Sequence, residues 1–191
     1  MKKWLVAMLI MGFAIPAFAQ KETVITPDDE WILYSKFETQ VAGIDSDTAV
    51  LGGIYAGGLF NGRFILGAGI STLLTDVDTD SPLLNDLGFM DVWYGGLHTG
   101  YTFFSDHLMH FSLGCLIGGG QVETETIRGS ENSETIFALQ PTIDFRLNIT
   151  QRFSIGLNIG YLHIGMNDSD ELSSSDISGP TAGFFLHFTE F

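Results

Sequence analysis

The stretch IFALQPTIDFRLNITQRFSIGLNIGYLHI, residues 136–164, decides the fold. Apolar residues stand at alternate positions in two arms, and polar or small residues fill the positions between them. A β-strand points successive side chains to opposite faces, so this alternation predicts a hairpin of two long strands. Such a ribbon suits a wall between lipid and a polar interior. The side chains predicted to face lipid are Phe137, Leu139, Ile143, Phe145, Ile155, Leu157, Ile159 and Tyr161.

The first nineteen residues have the three parts of a secretory signal peptide. Lys2 and Lys3 are positive, an apolar segment follows, and Ala17-Phe18-Ala19 has the small residues of a cleavage site. We therefore predict a cleaved signal over residues 1–19, a flexible leader over 20–30, and one β-barrel domain over 31–191.

Charge and cysteine content exclude several classes of function. The chain has a net charge of −15, which becomes −17 without the two signal lysines, and nucleic-acid binding requires the opposite balance. The single Cys115 cannot form an internal disulfide, and its apolar neighbours predict a buried or lipid-facing residue.

Six further segments show strand character, which brings the predicted count to eight. The Asn61-Gly62 dipeptide marks a tight turn, because both residues tolerate positive φ. The facing of the glycine-rich second strand stays open. The additional strands are predicted at Trp31–Thr39, Thr48–Phe60, Arg63–Leu73, Phe89–Phe104, His107–Val122 and Ser178–Phe191.

Short and long connections alternate along the chain. Asn61-Gly62, Ser105-Asp106 and Thr150-Gln151 make short turns. An antiparallel up-and-down barrel puts all the short turns at one rim and all the long loops at the other. The predicted long loops are acidic and cover Gln40–Asp47, Thr75–Gly88, Glu123–Glu134 and Gly165–Ile177.

Aromatic residues recur beside the short turns and would form a girdle at the membrane interface. A second girdle is predicted nearer the long loops, from Tyr55, Trp93, Phe137 and Tyr161. The first girdle comprises Trp31, Phe60, Phe64, Phe103, Phe111, Phe145, Phe153 and Phe188.

With these features the chain resembles the small eight-stranded outer-membrane β-barrel proteins of Gram-negative bacteria. The resemblance implies an outer-membrane location, contact with membrane lipids and lipopolysaccharide, and recognition of the terminal Phe191 by the barrel-assembly machinery. One departure concerns the last strand, where the apolar series Phe184, Leu186, Phe188 leaves Phe191 out of phase. Either a bulge corrects the phase, or Phe185 and Phe191 face outward instead.

The positions opposite the apolar faces should point into the barrel. Eight strands enclose a space that side chains can fill, so charges there must be paired or hydrated. We predict a hydrogen-bonded interior network, with a narrow pore as the alternative. Its members are Lys36, Glu38, His98, His110, Gln140, Asp144, Arg146 and Asn158.

Two motifs suggest chemistry. His110-Phe111-Ser112 is similar to the His-x-Ser of an outer-membrane lipid A deacylase, but it lies near the short-turn rim and lacks an obvious acidic partner. Asp76, Asp78 and Asp80 have the spacing of a calcium loop, yet Leu87 stands where the closing Glu would be. We therefore predict no catalytic residue, no cofactor, and at most a weak divalent-cation site.

The sequence favours a non-catalytic outer-membrane barrel that acts in envelope structure, adhesion or binding of an extracellular partner through acidic loops. Two other classes stay open, a lipid-modifying enzyme and a soluble periplasmic ligand-binding barrel. A soluble barrel would hide its aliphatic stripe inside, so the direction of Ile143 and Phe145 separates the classes.

Overall fold

A computed structural model describes residues 31–44, 47–75, 87–126, 131–166 and 178–190. Within these residues the chain forms eight β-strands and no helix. The strands are β1 (Trp31–Ile44), β2 (Asp47–Phe60), β3 (Phe64–Leu73), β4 (Leu87–Phe103), β5 (Met109–Thr126), β6 (Glu131–Asn148), β7 (Phe153–Met166) and β8 (Gly179–Thr189).

Each strand pairs antiparallel with its neighbours in sequence, and β1 also pairs with β8, from Tyr34 opposite Thr189 to Ala42 opposite Thr181. This last pairing closes the sheet, so the barrel has no free edge strand. The predicted eight-stranded antiparallel up-and-down barrel is confirmed. Among the described residues, no helix is long and apolar enough to span a membrane.

The ladders are nearly regular, with two local interruptions. A bulge shifts the β4–β5 register between Leu87 and Phe89. Between β6 and β7, the pairs Leu139–His163 and Thr142–Gly160 keep one register, and the ladder is interrupted between them beside Pro141. Proline has no N–H to donate, which accounts for a gap without a shift.

Inward and outward side chains alternate along every strand. The outward side chains include Ile143, Phe145 and Leu157, which are 37%, 53% and 61% exposed. In β2, Tyr55 points inward and Ile54 outward, which settles the facing of that strand. In β8, Phe185 is completely buried inside while Phe184 and Phe188 are exposed, so the alternative with Phe185 outward is wrong.

Aromatic rings surround the rim that carries the short turns. Phe64 contacts Tyr101, Tyr101 contacts Phe103, and Phe103 stacks on Phe111, with ring centroids 4.9, 4.8 and 4.8 Å apart. Elsewhere on this rim Phe153 packs against Phe188, 5.0 Å apart. Cross-strand aromatic contacts of this kind stabilise neighbouring strands.

The turn at Asn61-Gly62 has the predicted conformation, with φ of 51° at Asn61 and 64° at Gly62. Phe104, at the second short turn, also has a positive φ of 57°. A non-glycine residue adopts this region at a cost of order 1–3 kcal/mol, which the surrounding contacts must offset. The ring of Phe104 packs against Phe111, 5.9 Å away.

Two predicted long loops are wrong in their bounds. β1 continues to Ile44 and β2 begins at Asp47, so most of Gln40–Asp47 is paired strand. β5 and β6 likewise pair as far as Glu125 opposite Glu131, inside the predicted loop Glu123–Glu134. In the first segment Val41, Ala42 and Ile44 continue the strand, and in the second the polar composition does not prevent backbone pairing.

Several predictions fall outside the described residues. These are the signal peptide over residues 1–19, the leader over 20–30, the aspartates Asp76, Asp78 and Asp80, and the terminal Phe191.

The apolar side chains on the outer face predict that a charge introduced among them destabilises the barrel. Ile159 lies near the middle of β7 and is 49% exposed on the outer face. For Ile159→Arg we expect a loss of about 2–4 kcal/mol in the free energy of unfolding from phospholipid vesicles, because the guanidinium must enter hydrocarbon. The control, Gln151→Arg, places the same charge in an exposed turn and should change it by less than about 0.5 kcal/mol. Equal effects in urea titrations would contradict a lipid-facing belt.

Candidate functional site

Lys36 occupies the centre of the barrel interior and bridges two carboxylates. Its Nζ lies 2.8 Å from Glu38 Oε2 and 2.8 Å from Asp144 Oδ2. Lys36 and Glu38 are two positions apart on β1 and therefore share its inner face, whereas Asp144 reaches across from β6. All three side chains are almost completely buried, so the ions replace lost water with one another.

Glu38 accepts four contacts that use both of its carboxylate oxygens. The Tyr55 hydroxyl donates to Oε1 at 2.5 Å, and the Gln40 amide donates to the same atom at 3.0 Å. The Asn158 amide donates to Oε2 at 2.8 Å, beside the Lys36 ammonium. These donors satisfy both carboxylate oxygens where the solvent shell is lost.

A short amide chain continues from Glu38 towards the loop end. Gln140 donates to Gln40 Oε1 at 2.6 Å, and the Tyr94 hydroxyl donates to Gln140 Oε1 at 3.1 Å. These three residues link β1, β6 and β4 across the lumen. They form the last polar layer before the interior becomes apolar.

An apolar layer closes the loop end of the interior. Its side chains are at most 2% exposed and pack as one cluster, so this end holds a dry core instead of a water path. The layer comprises Ala42, Ala49, Leu51, Val92, Val122, Ile136, Ala138, Leu162 and Ile164.

Phe185 supplies an aromatic face beside the charged centre. The Lys36 ammonium lies 4.6 Å from the Phe185 ring centroid and 5.2 Å from that of Tyr55. Gly156 makes room for this ring, because a Cβ at Gly156 would lie 2.3 Å from Phe185 Cζ. A cation over a ring face is further stabilised by the ring quadrupole.

A second cluster lies between the charged centre and the short-turn rim. The Tyr34 hydroxyl and His98 Nδ1 form a hydrogen bond of 2.7 Å. The His187 ring stacks on Tyr34, with centroids 5.5 Å apart and planes 9° from parallel. Tyr34 therefore holds two imidazoles in fixed orientations.

The short-turn end of the barrel opens into a cavity of about 1030 Å³. Arg146 and His187 line its inner part, and residues of the short turns, including Arg63 and His107, line its mouth. Arg146 is only 6% exposed. The interior thus has three zones, which are an apolar layer, a charged centre and an open basic mouth.

His110 and Ser112 of the His110-Phe111-Ser112 motif make separate contacts. Ser112 Oγ is 3.0 Å from the hydroxyl of Thr102, and His110 Nδ1 is 3.4 Å from the carbonyl oxygen of His107. Among the described residues neither side chain contacts a carboxylate within hydrogen-bond distance. No group of His, Cys, Asp and Glu in these residues has a metal-binding arrangement.

The structure places all eight predicted interior residues inside the barrel. It joins Lys36, Glu38, Asp144 and Asn158 directly, links Gln140 through Gln40, and puts His98, His110 and Arg146 nearer the mouth. The eight predicted outward residues point away from the lumen, with Leu139 and Ile155 less exposed than the rest.

Sequence reasoning missed several interior residues. Tyr55 was expected in the second aromatic girdle, but it is 3% exposed and points inward. The glycines of β2 conceal its phase, and Gly69 on β3 receives its ring, since a Cβ there would lie 2.2 Å from Tyr55 Cδ1. His187 and Phe185 were missed because the phase of β8 was open.

Comparison with known proteins identifies solved structures of the same fold but no matching protein family. No protein-family model and no curated protein matches the sequence. Among solved structures, Neisserial surface protein A aligns with a TM-score of 0.62 at 12% identity, over 84% of this chain and 97% of its own. The chain has the fold of the small eight-stranded outer-membrane barrels.

Two further barrels align over most of their length. The N-terminal β-barrel domain of Pseudomonas aeruginosa OprF gives a TM-score of 0.56 at 8% identity, over 85% of this chain and 99% of that domain. Ail, the attachment invasion locus protein of Yersinia pestis, gives a TM-score of 0.50 at 13% identity, over 85% and 98%. At these identities the likeness concerns the fold alone.

The position of Lys36 between two buried carboxylates predicts a large stability effect. Lys36→Met should lower the free energy of unfolding by about 3–5 kcal/mol, because Glu38 and Asp144 would lose their shared counter-ion. Arg63→Met is the control, since Arg63 and Asp106 are exposed and 3.7 Å apart, and should cost less than about 1 kcal/mol. Urea titration of both variants checks this, and a small Lys36 effect would show that the centre is hydrated.

Proposed function

We propose that this protein is a non-conducting, non-catalytic outer-membrane barrel that acts through its wall and its acidic loops. The supporting observation is that the distribution of apolar and charged side chains is the reverse of that in a water-soluble protein. Large aliphatic and aromatic side chains cover the outside, whereas Lys36, Glu38, Asp144 and Arg146 are inside. A lipid bilayer is the environment in which that distribution is stable.

The same distribution argues against a soluble periplasmic ligand-binding barrel. A soluble barrel of this size would hide Ile143, Phe145 and Leu157 and expose its charged residues. The observed arrangement, with aliphatic side chains outside, would give a water-soluble protein an aliphatic surface on every side, which promotes aggregation.

The proposed orientation places the short turns in the periplasm and the loop end outside the cell. In this orientation the acidic residues 76–80 and 168–176 belong to extracellular connections. They would contact lipopolysaccharide, directly or through divalent cations, or an extracellular partner. A protein of the same fold, Ail, is named for attachment and invasion, so the fold is compatible with an adhesive role.

Labelling in intact cells tests this orientation. In a Cys115→Ala background, Ser174→Cys should react with a membrane-impermeant maleimide in intact cells. Gln151→Cys, in a short turn, should react only after the outer membrane is permeabilised. Reaction of Gln151→Cys alone in intact cells would reverse the orientation. A Ser174→Cys thiol that stays unreactive in both conditions would contradict a loop exposed for binding.

The sealed interior predicts the absence of a conducting path. The apolar layer at the loop end and the ion network below it leave no continuous aqueous lumen among the described residues. Purified protein in planar lipid bilayers should therefore give no stepwise current above the background of empty membranes. A general porin reconstituted in parallel is the positive control. Reproducible conductance steps would support the narrow-pore alternative instead.

A further inference from the structure

Arg146 is a buried cation with an unpartnered donor, the Nε–H of its guanidinium. Its Nε has no hydrogen-bond partner, and no carboxylate of the described residues lies within 4.0 Å of its guanidinium. The Phe185 ring lies 5.9 Å from the guanidinium carbon. Leaving such donors unpaired costs free energy, so the site is prepared for an acceptor.

Asp144 is the internal counter-ion closest in sequence to Arg146, and one of its two carboxylate oxygens binds Lys36. Both residues stand on the inner face of β6, but Asp144 Oδ2 binds Lys36 at 2.8 Å, and Oδ1 has no hydrogen-bond partner. Arg146 also lines the cavity at the short-turn mouth, from which a ligand can reach its guanidinium.

Two arginines, Arg63 and Arg146, and three histidines, His107, His110 and His187, line this cavity. His110 stands directly opposite Arg146 in the β5–β6 ladder, and His187 stands opposite Ser154 in the β7–β8 ladder. The members of both pairs, His110, Arg146, His187 and Ser154, line the cavity. Asp106, beside the exposed Arg63, is the one carboxylate residue in the lining. Directly opposed residues have Cβ atoms about 5 Å apart, close enough to share one small ligand.

His110 adds a requirement that selects among anions. The His107 carbonyl can only accept, so His110 Nδ1 donates to it, and in a ring that carries this one proton Nε2 is an acceptor. A ligand that joins Arg146 and His110 must offer acceptor oxygens to the first and an O–H donor to the second. A phosphate that retains one proton has both, whereas sulfate and a carboxylate have acceptors alone.

We infer that the short-turn mouth is a binding site for a phosphate group, held by the Arg146 guanidinium with His110 and His187 beside it. Guanidinium binds phosphate through two parallel hydrogen bonds. The volume of about 1030 Å³ is larger than inorganic phosphate needs and accommodates a small phosphate monoester. That this binding site faces the periplasm rests on the proposed orientation, but phosphate binding itself does not.

Calorimetric titration of the refolded mature chain with inorganic phosphate, in a detergent that contains no phosphate, tests the site. We expect saturable binding that sulfate at equal ionic strength does not reproduce. Arg146→Met should weaken phosphate binding about tenfold or more, as expected for loss of a charged hydrogen-bond pair. Heat-modifiable gel mobility verifies that each variant is folded.

Arg152→Met is the matched control. It removes the same charge at the same rim, but Arg152 is exposed and does not line the cavity. Its phosphate affinity should stay within about twofold of the parent, which is below the effect of one hydrogen bond. Equal weakening in both variants, or no saturable binding to the parent protein, would overturn the site. The second result would mean that water and the Asp144 carboxylate already satisfy the guanidinium.

A measurement on the unmodified protein keeps the proposal testable if Arg146→Met does not fold. The chain contains four arginines, at 63, 128, 146 and 152. Their Nε signals in ¹H–¹⁵N spectra can be assigned by substituting the other three in turn. Phosphate should shift the Arg146 signal to saturation and leave Arg63 and Arg152 unchanged. Shifts confined to Arg63 or Arg152 would show nonspecific attraction at the rim and contradict the proposal.

Discussion

The structure depends on the pairing of β1 with β8. A sheet of eight strands without that pairing would expose two rows of backbone N–H and C=O groups, which hydrocarbon cannot satisfy. Closure removes both edges and at the same time creates a lumen too narrow to remain empty. The inward residues of every strand are therefore constrained by the fit across the barrel, and the outward residues by lipid.

The lumen meets this constraint with different chemistry at its two ends. Towards the loops, residues such as Leu162 and Ile164 pack as an ordinary apolar core. In the middle, Lys36 binds the carboxylates of Glu38 and Asp144, so each of these three charges has an opposite charge 2.8 Å away. An isolated charge in this place would cost several kcal/mol, which is why the ions occur as a connected group. At the short-turn end the described residues leave an open cavity.

The sequence predicted the strands and most of their facing because both are local properties. Period-two alternation is visible within β6 or β7 alone, and it identified the inward positions of Lys36, Asp144 and Arg146. The partners of those residues could not be predicted. Lys36 and Asp144 are 108 residues apart, and they meet only through the closed register of the barrel. Tyr55 was misplaced for a related reason, since the glycines around it carry no apolar or polar signal.

The interior ions also make the strand register unique. Replacing a buried ion group by apolar side chains is often neutral or stabilising, so these ions are weak evidence for stability as such. The ions act more strongly by destabilising alternative strand registers. A slip of β1 by one residue against its neighbours would turn Lys36 and Glu38 towards lipid and Phe37 into the lumen, because successive side chains point to opposite faces. Two charges in hydrocarbon cost far more than a misplaced aliphatic residue. An apolar lumen would tolerate that slip, and the ion group excludes it.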